Sequence, residues 1–156
     1  MKTFFSIILL FVFSLALSAQ TYESQKKFDP NRNPETDLKA AVNYAKSVNK
    51  RIILDVGGEW CIWCHRIDAF MDSTKEVKDY VEKHYVIVKI NFSKENKNEK
   101  FLSKYPEIQG YPHFFVLDKN GKLLHSQNTG DLEKDKGYDK DKFLQFLQKW
   151  AAKKQL

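Results

Sequence analysis

The stretch Glu59-Trp60-Cys61-Ile62-Trp63-Cys64-His65 contains both cysteines of this 156-residue chain, and they lie three positions apart. If a helix begins at or just before Cys61, positions i and i+3 share one face at roughly 5–6 Å, a separation that suits a disulfide. The positive end of the helix dipole then favours a thiolate at the first cysteine. The sequence therefore predicts a reactive pair, with Cys61 as the nucleophile and Cys64 as the resolving thiol.

Helix and strand signals alternate on both sides of this motif. The β-branched run over residues 52–56 ends at Gly57-Gly58 and indicates a buried strand that leads into the motif. Apolar periodicity predicts helices over residues 34–49, over 61–71 and from residue 73 onward. Further along we predict strands at 86–91, 113–117 and 122–125, a short helix at 99–104, a charged loop at 126–139 and a last helix at 140–153. This order favours an α/β fold with a central sheet covered on both faces.

The first residues have the composition of an export signal. Lys2 precedes an almost wholly apolar segment at 4–16, and small residues close this segment near Ala19. We therefore expect a signal peptide over residues 1–19, a secreted or periplasmic location, and no stable membrane span after cleavage. Residues 20–33 are predicted to be a flexible lead-in, and residues 34–156 to form one domain.

The charge of the chain is only mildly basic. There are 26 Lys and Arg residues against 20 Asp and Glu residues, and loss of Lys2 with the leader would leave 25 against 20, a net charge of +5. The lysines alternate with acidic residues near the C-terminus, which is typical of a solvated surface. We therefore predict no nucleic-acid partner.

Four features, in the same order along the chain, resemble the thioredoxin superfamily and its small exported members with a W-C-x-W-C motif. They are the strand–motif–helix unit, Asp55 six residues before Cys61, Lys89 within an apolar strand, and Gly110-Tyr111-Pro112 before a strand and an Asn-Gly hairpin. The resemblance covers roughly residues 37–152, although the N-terminal strand of thioredoxins is poorly represented. It implies a thioredoxin-like fold for the 34–156 domain, with a central mixed β-sheet flanked by helices on both faces.

The resemblance also implies roles for individual residues. Asp55 would be a buried acid behind Cys64 that exchanges a proton with it, and Lys89 would neighbour that acid. Pro112 would be a cis-proline that leaves the backbone of Tyr111 free to pair with an extended substrate segment. The alternatives are an ordinary buried Asp–Lys pair and an ordinary proline at the start of a strand.

Trp60 and Trp63 offer an apolar rim for a substrate peptide, and we expect Trp63 to be the more exposed of the two. Either tryptophan could instead pack in the core. His65 could help to hold a thiolate if it carries a positive charge, or it could be polar helix surface.

Together these residues predict an enzyme, a thiol–disulfide oxidoreductase that acts on protein disulfides or dithiols. It would use no cofactor and would depend on an external redox partner. The Asp55–Lys89 arrangement and the absence of a histidine between the cysteines favour the direction of a disulfide reductase.

Two other functions remain open at this point. The run from Cys61 to His65 also fits C-x-x-C-H, the attachment site of c-type haem, with His65 as axial ligand. Met71 is then a poor second ligand, because it lies too close in sequence to reach the opposite haem face easily. A non-catalytic thioredoxin-like interaction domain is the other possibility. No metal site is predicted, because the remaining histidines form no second pair at zinc-finger spacing.

Overall fold

The computed structural model describes residues 22–153, so the predicted signal peptide lies outside the described residues. The helices are α1 (Pro34–Val48), α2 (Ile62–Ser73), α3 (Lys75–His84), α4 (Glu99–Leu102) and α5 (Lys140–Trp150). The strands are β1 (Arg51–Gly57), β2 (Tyr85–Asn91), β3 (His113–Leu117), β4 (Leu123–Asn128), β5 (Glu133–Lys134) and β6 (Gly137–Tyr138). Among residues 22–153, no helix combines the length and the apolar character that crossing a membrane requires.

The main sheet has four strands in the order β2-β1-β3-β4. The β1–β2 pair is parallel, whereas β1–β3 and β3–β4 are antiparallel, so the sheet is mixed as predicted. Strand β2 lies at one edge, and within the described part of the chain no strand pairs with its outer side. This agrees with the poor representation of the N-terminal thioredoxin strand in the sequence.

Helices cover both faces of the sheet because the side chains of each strand alternate in direction. On one face, Ala41 and Ala45 of α1 pack against Ile52 and Leu54 of β1. The opposite face carries a core cluster built from the sheet together with α2, α3 and α5, whose members include Ile53, Ile67, Val77, Phe114 and Phe143. The predicted fold class is therefore confirmed.

Two local sequence signals set the ends of elements. The side chain of Asn33 caps α1 by accepting hydrogen bonds from the N–H groups of Glu35 and Thr36, at 2.9 and 3.3 Å. Gly121 adopts a positive φ of 87° in the turn between β3 and β4, a conformation that favours glycine.

The loop predicted at residues 126–139 is more structured than the sequence indicated. Strand β4 extends to Asn128, a 3₁₀ turn follows at Thr129–Leu132, and β5 and β6 then form a small hairpin. The Thr129 hydroxyl donates a hydrogen bond to the Pro112 carbonyl at 2.5 Å. This tertiary contact fastens the segment next to the cysteine motif, and local composition could not predict it.

The lead-in has no regular secondary structure over residues 22–33, but part of it packs on the domain. Phe28 is buried, and the Tyr22 hydroxyl donates a hydrogen bond to the Ile87 carbonyl on β2 at 3.0 Å. The packed part of the domain therefore begins before residue 34.

Candidate active site

The cysteine pair lies at the start of α2, directly after β1 and a short turn. Cys61 is the N-cap of α2, and its Sγ accepts a hydrogen bond from the Cys64 N–H at 3.1 Å. The two cysteines form a disulfide with a Cα separation of 5.2 Å, within the usual range for such a bond. The predicted helix start and pairing are both present.

The two sulfurs differ in depth. Cys64 is completely buried, whereas Cys61 keeps 4% of its surface accessible, so an incoming group would reach Cys61 first. The space under Cys64 exists because residue 57 is glycine, since a Cβ there would lie only 2.4 Å from the Cys64 Sγ. The last residue of β1 therefore leaves room for the buried Cys64 sulfur.

The exposed rim of the site is apolar. Trp60 and Ile62 each expose 60% of their surface on either side of Cys61. The Trp60 Nε1–H donates to the Phe92 carbonyl at 2.7 Å, and the Trp60 ring meets the Tyr111 ring edge-on with centroids 5.8 Å apart. These contacts hold an exposed indole beside the disulfide.

The expectation that Trp63 is the more exposed tryptophan was wrong. Trp63 is half-buried against the cysteine pair, and its ring meets the Tyr138 ring edge-on at 5.9 Å. The Arg66 guanidinium covers the ring at 4.5 Å from its centroid. Tyr138 belongs to a hairpin in the segment that was predicted to be a loop. The sequence therefore did not predict that Tyr138 packs on the Trp63 ring.

The Tyr111-Pro112 segment lies beside the disulfide, as the resemblance implied. The peptide bond between the two residues is cis. Tyr111 packs against the cluster formed by the cysteines and stacks on Phe92 with ring centroids 4.8 Å apart. Pro112 is buried directly before β3.

Next to Phe28, which packs on the cysteine pair, lies a buried charge cluster made of one lysine and two carboxylates. The Lys89 Nζ donates to the Asp55 Oδ2 at 2.8 Å and to both carboxylate oxygens of Asp68 at 2.7 and 2.8 Å. Asp55 is fully buried, and the Lys89 side chain is nearly so, whereas the Asp68 side chain keeps 27% of its surface exposed. The predicted Asp55–Lys89 pair is present, with Asp68 as a third member.

The electrostatics of this cluster follow from burial and from its mixed charges. Burial alone would lower the pKa of Lys89, but the charges and hydrogen bonds of Asp55 and Asp68 outweigh burial and raise that pKa. Burial, followed by the charge of Asp55, raises the pKa of Asp68 to about 6, although Lys89 opposes this rise. The Asp55 Oδ1 has no hydrogen-bond partner among the described residues, and it lies on the same face of β1 as Gly57.

Sequence reasoning missed Asp68. Its position four residues after Cys64 places it one helical turn further along the same face of α2, a spacing visible in the sequence. The contact with Lys89 joins a residue of α2 to a residue of β2, which no local pattern reports.

The geometry disfavours the haem alternative. Both cysteine sulfurs would have to reach the haem edge, but Cys64, in the first turn of α2, is completely buried. The exposed His65 ring is hydrogen-bonded through Nε2 to the Glu59 carbonyl at 2.8 Å, and Met71 packs in the core cluster of α2 and α3. These residues do not present two ligands to a common plane.

A mixed sheet, a disulfide at a helix N-terminus and a cis-proline loop beside it define a thioredoxin-like protein with a dithiol–disulfide site. A family model described as a thioredoxin-like domain matches residues 38–148, and the chain belongs to this family.

Two named relatives carry functional information. The chain is 27% identical over 93 residues to the disulfide bond reductase DsbH of Chlamydia pneumoniae, which covers 54% of this chain and 55% of the relative. The chain thus spans about half the length of that curated relative. A solved disulphide isomerase from Xylella fastidiosa Temecula1 is 25% identical, with a TM-score of 0.67 over 78% of this chain and 94% of that one.

The C-terminal domain of Neisseria meningitidis DsbD in its reduced form is also similar in fold. It is 24% identical, with a TM-score of 0.56 over 74% of this chain and 96% of that domain. The names of the DsbH reductase and the Xylella isomerase support the predicted class, the thiol–disulfide oxidoreductases.

Proposed function

We propose that this protein is an exported thiol–disulfide oxidoreductase that reduces protein disulfides through Cys61 and Cys64. The observation that carries the proposal is the disulfide at the N-terminus of α2, in which Cys61 keeps 4% of its surface accessible and Cys64 keeps none. A disulfide that closes so short a loop constrains the unfolded chain little, so reactivity explains it better than stability.

In the first half of the reaction, the reduced Cys61 acts as a thiolate at the helix N-terminus. The Cys64 N–H, which donates to the Cys61 sulfur in the disulfide form, is in place to stabilise that negative charge. The thiolate attacks one sulfur of a substrate disulfide, a mixed disulfide forms, and the other substrate sulfur leaves as a thiolate that takes a proton from water.

In the second half, Cys64 releases the substrate. Its thiol proton passes to the carboxylate of Asp55, and its sulfur attacks the sulfur of Cys61. The Cys61–substrate bond breaks, the electron pair leaves with the substrate sulfur, and the enzyme is left with the Cys61–Cys64 disulfide. An external dithiol protein then returns two electrons to the pair.

The substrate would bind along the apolar rim. Trp60 and Ile62 supply exposed apolar surface beside Cys61, and the backbone of Tyr111 would pair with an extended segment of the substrate. Trp63 would contribute from its half-buried position, and Pro112 by placing Tyr111. An unfolded or extended protein segment that contains a disulfide fits this surface.

The reductase direction is supported by the Asp55–Lys89 pair and by the name of the reductase relative. The similar isomerase provides the contrast to test. A reductase reduces insulin in the presence of a dithiol donor, whereas an isomerase reactivates scrambled ribonuclease without net reduction.

The decisive assay is dithiol-driven insulin reduction by the wild-type protein and by Cys61→Ser. We expect turnover by the wild type and only the uncatalysed rate for the variant. Equal rates for both proteins would favour a non-catalytic interaction domain. Export is tested separately, because N-terminal sequencing of the protein from the producing cell should find a start near residue 20.

A further inference from the structure

Phe28 lies outside the region matched by the thioredoxin-like family, yet it packs on the reactive pair. Only 3% of its surface is exposed, and it forms one buried cluster with Cys61 and Cys64. Its ring atoms come within 3.1 Å of the position that a Cβ on Gly57 would take, next to the Cys64 sulfur. The ring therefore packs in the buried space around the Cys64 sulfur.

The same ring contacts the charge cluster. The Lys89 Nζ lies 4.1 Å from the centroid of the Phe28 ring, within the range of a cation–π contact. The three short hydrogen bonds of this ammonium group go to Asp55 and Asp68. The Phe28 ring thus contacts the cysteine cluster on one side and Lys89, the ion-pair partner of Asp55, on the other.

Hydrogen bonds on both sides of the site hold Phe28 in place. The Phe28 N–H donates to the Glu59 Oε1 at 2.8 Å, in the turn before Cys61. Two residues later, the Pro30 carbonyl accepts from the Asn96 Nδ2 at 2.8 Å, in the loop after β2. Residues 28–30 are therefore hydrogen-bonded both to the turn before Cys61 and to the loop after β2.

We propose that Phe28 is a positioning residue for the second half of the exchange reaction, and this rests on the proposed function. It excludes water from the inner side of Cys64 and holds the Lys89 charge beside Asp55. Because water is excluded, the proton of Cys64 passes to Asp55 within the cluster, and buffer bases do not take part. The ring itself gains and loses no proton.

The two halves of the reaction can be timed separately with 5,5′-dithiobis(2-nitrobenzoate). The reduced enzyme releases one coloured thiolate when Cys61 attacks and a second when Cys64 resolves the adduct. In the wild type, we expect the second phase to be insensitive to the concentration of imidazole buffer at constant pH and ionic strength.

In Phe28→Ala, the first phase should change little, and the second should slow by about tenfold or more at low buffer concentration. It should then accelerate as the imidazole concentration rises, because an external base now reaches Cys64. Tyr22→Phe is the matched control, since it loosens the lead-in at Ile87 without touching the cysteine cluster. Both of its phases should match the wild type.

Phe28→Leu covers the case in which Phe28→Ala does not fold. Leucine keeps an apolar cover but removes the aromatic face from Lys89, so the second phase should slow about threefold and stay insensitive to buffer. An unchanged second phase in a folded Phe28 variant would overturn the positioning role alone. A wild-type protein that releases no coloured thiolate would overturn the proposed function and this role together.

Discussion

The Sγ atom of Cys64 occupies the space that a side chain on Gly57 would need. A Cβ at residue 57 would lie 2.4 Å from that sulfur and 3.1 Å from the Phe28 ring. Both neighbours are buried, so neither can move aside without disturbing the packing around the disulfide.

Gly57→Ala should therefore destabilise the oxidised protein by about 1–3 kcal/mol, the usual range for overpacking a core. Gly137→Ala is the matched control, because a Cβ there meets no atom within 4 Å. Urea denaturation of both variants measures the effect. Equal stabilities would contradict the contact between Gly57 and Cys64.

Removing the buried cation should be costly because two carboxylates depend on it. We expect Lys89→Met to lower the free energy of unfolding by about 3–5 kcal/mol at pH 7, since the Asp55 carboxyl group would remain fully buried without its ion-pair partner. The double variant Asp55→Asn with Lys89→Met should recover part of that loss. Urea denaturation of the variants tests this, and a double variant less stable than Lys89→Met would contradict it.

The raised pKa of Asp68 should make its contribution to the free energy of unfolding fall as the pH rises. Its pKa in the folded protein is raised to about 6, so between about pH 4 and 6 the folded state holds a proton that the unfolded state releases. Stability from this group is present below about pH 4 and is lost as the pH rises through 6.

The unfolding free energy of the wild type minus that of Asp68→Asn should thus fall by on the order of 1–2 kcal/mol between pH 4 and 6, allowing for partial exposure. His113 acts in the opposite direction, because burial, and then the charge of His125, lower the pKa of His113 to about 4. Its contribution cancels in the difference between the two proteins. A difference that stays flat across this window would refute the raised pKa of Asp68.

Trp60→Ala should weaken the reaction with protein substrates selectively. The exposed indole contributes apolar surface beside Cys61, so kcat/KM for insulin should fall by about tenfold. The rate with the small disulfide 5,5′-dithiobis(2-nitrobenzoate) should change little. Val48→Ala is the control, because Val48 is also an exposed apolar side chain but lies near the other end of β1. Equal losses with both substrates would argue against docking at Trp60.

The parts of the fold that depend on local patterns could be predicted from the sequence. The β-branched run of β1, the apolar face of α1 and the spacing of Cys61 and Cys64 each carry their own periodicity. Asp55, Lys89 and Pro112 were identified through the resemblance. The structure pairs Asp55 with Lys89 and places Tyr111, which forms the cis peptide bond with Pro112, against the cysteine pair.

The residues that were missed reach the site through tertiary packing. Asp68 on α2 meets Lys89 on β2 across 21 residues of sequence, and Tyr138 covers Trp63 because a short hairpin packs against α2. Phe28 lies in a segment without periodicity, so nothing in its neighbourhood indicates that it packs on the disulfide.

Trapping the mixed disulfide tests most directly the order of attack by the two cysteines. Reduced Cys64→Ser, mixed with insulin and analysed by mass spectrometry, should accumulate a covalent adduct through Cys61, because the resolving thiol is gone. Reduced Cys61→Ser should form almost none, since Cys64 is buried. Comparable adducts on both variants, or none on Cys64→Ser, would contradict the assignment of Cys61 as the nucleophile and Cys64 as the resolving thiol.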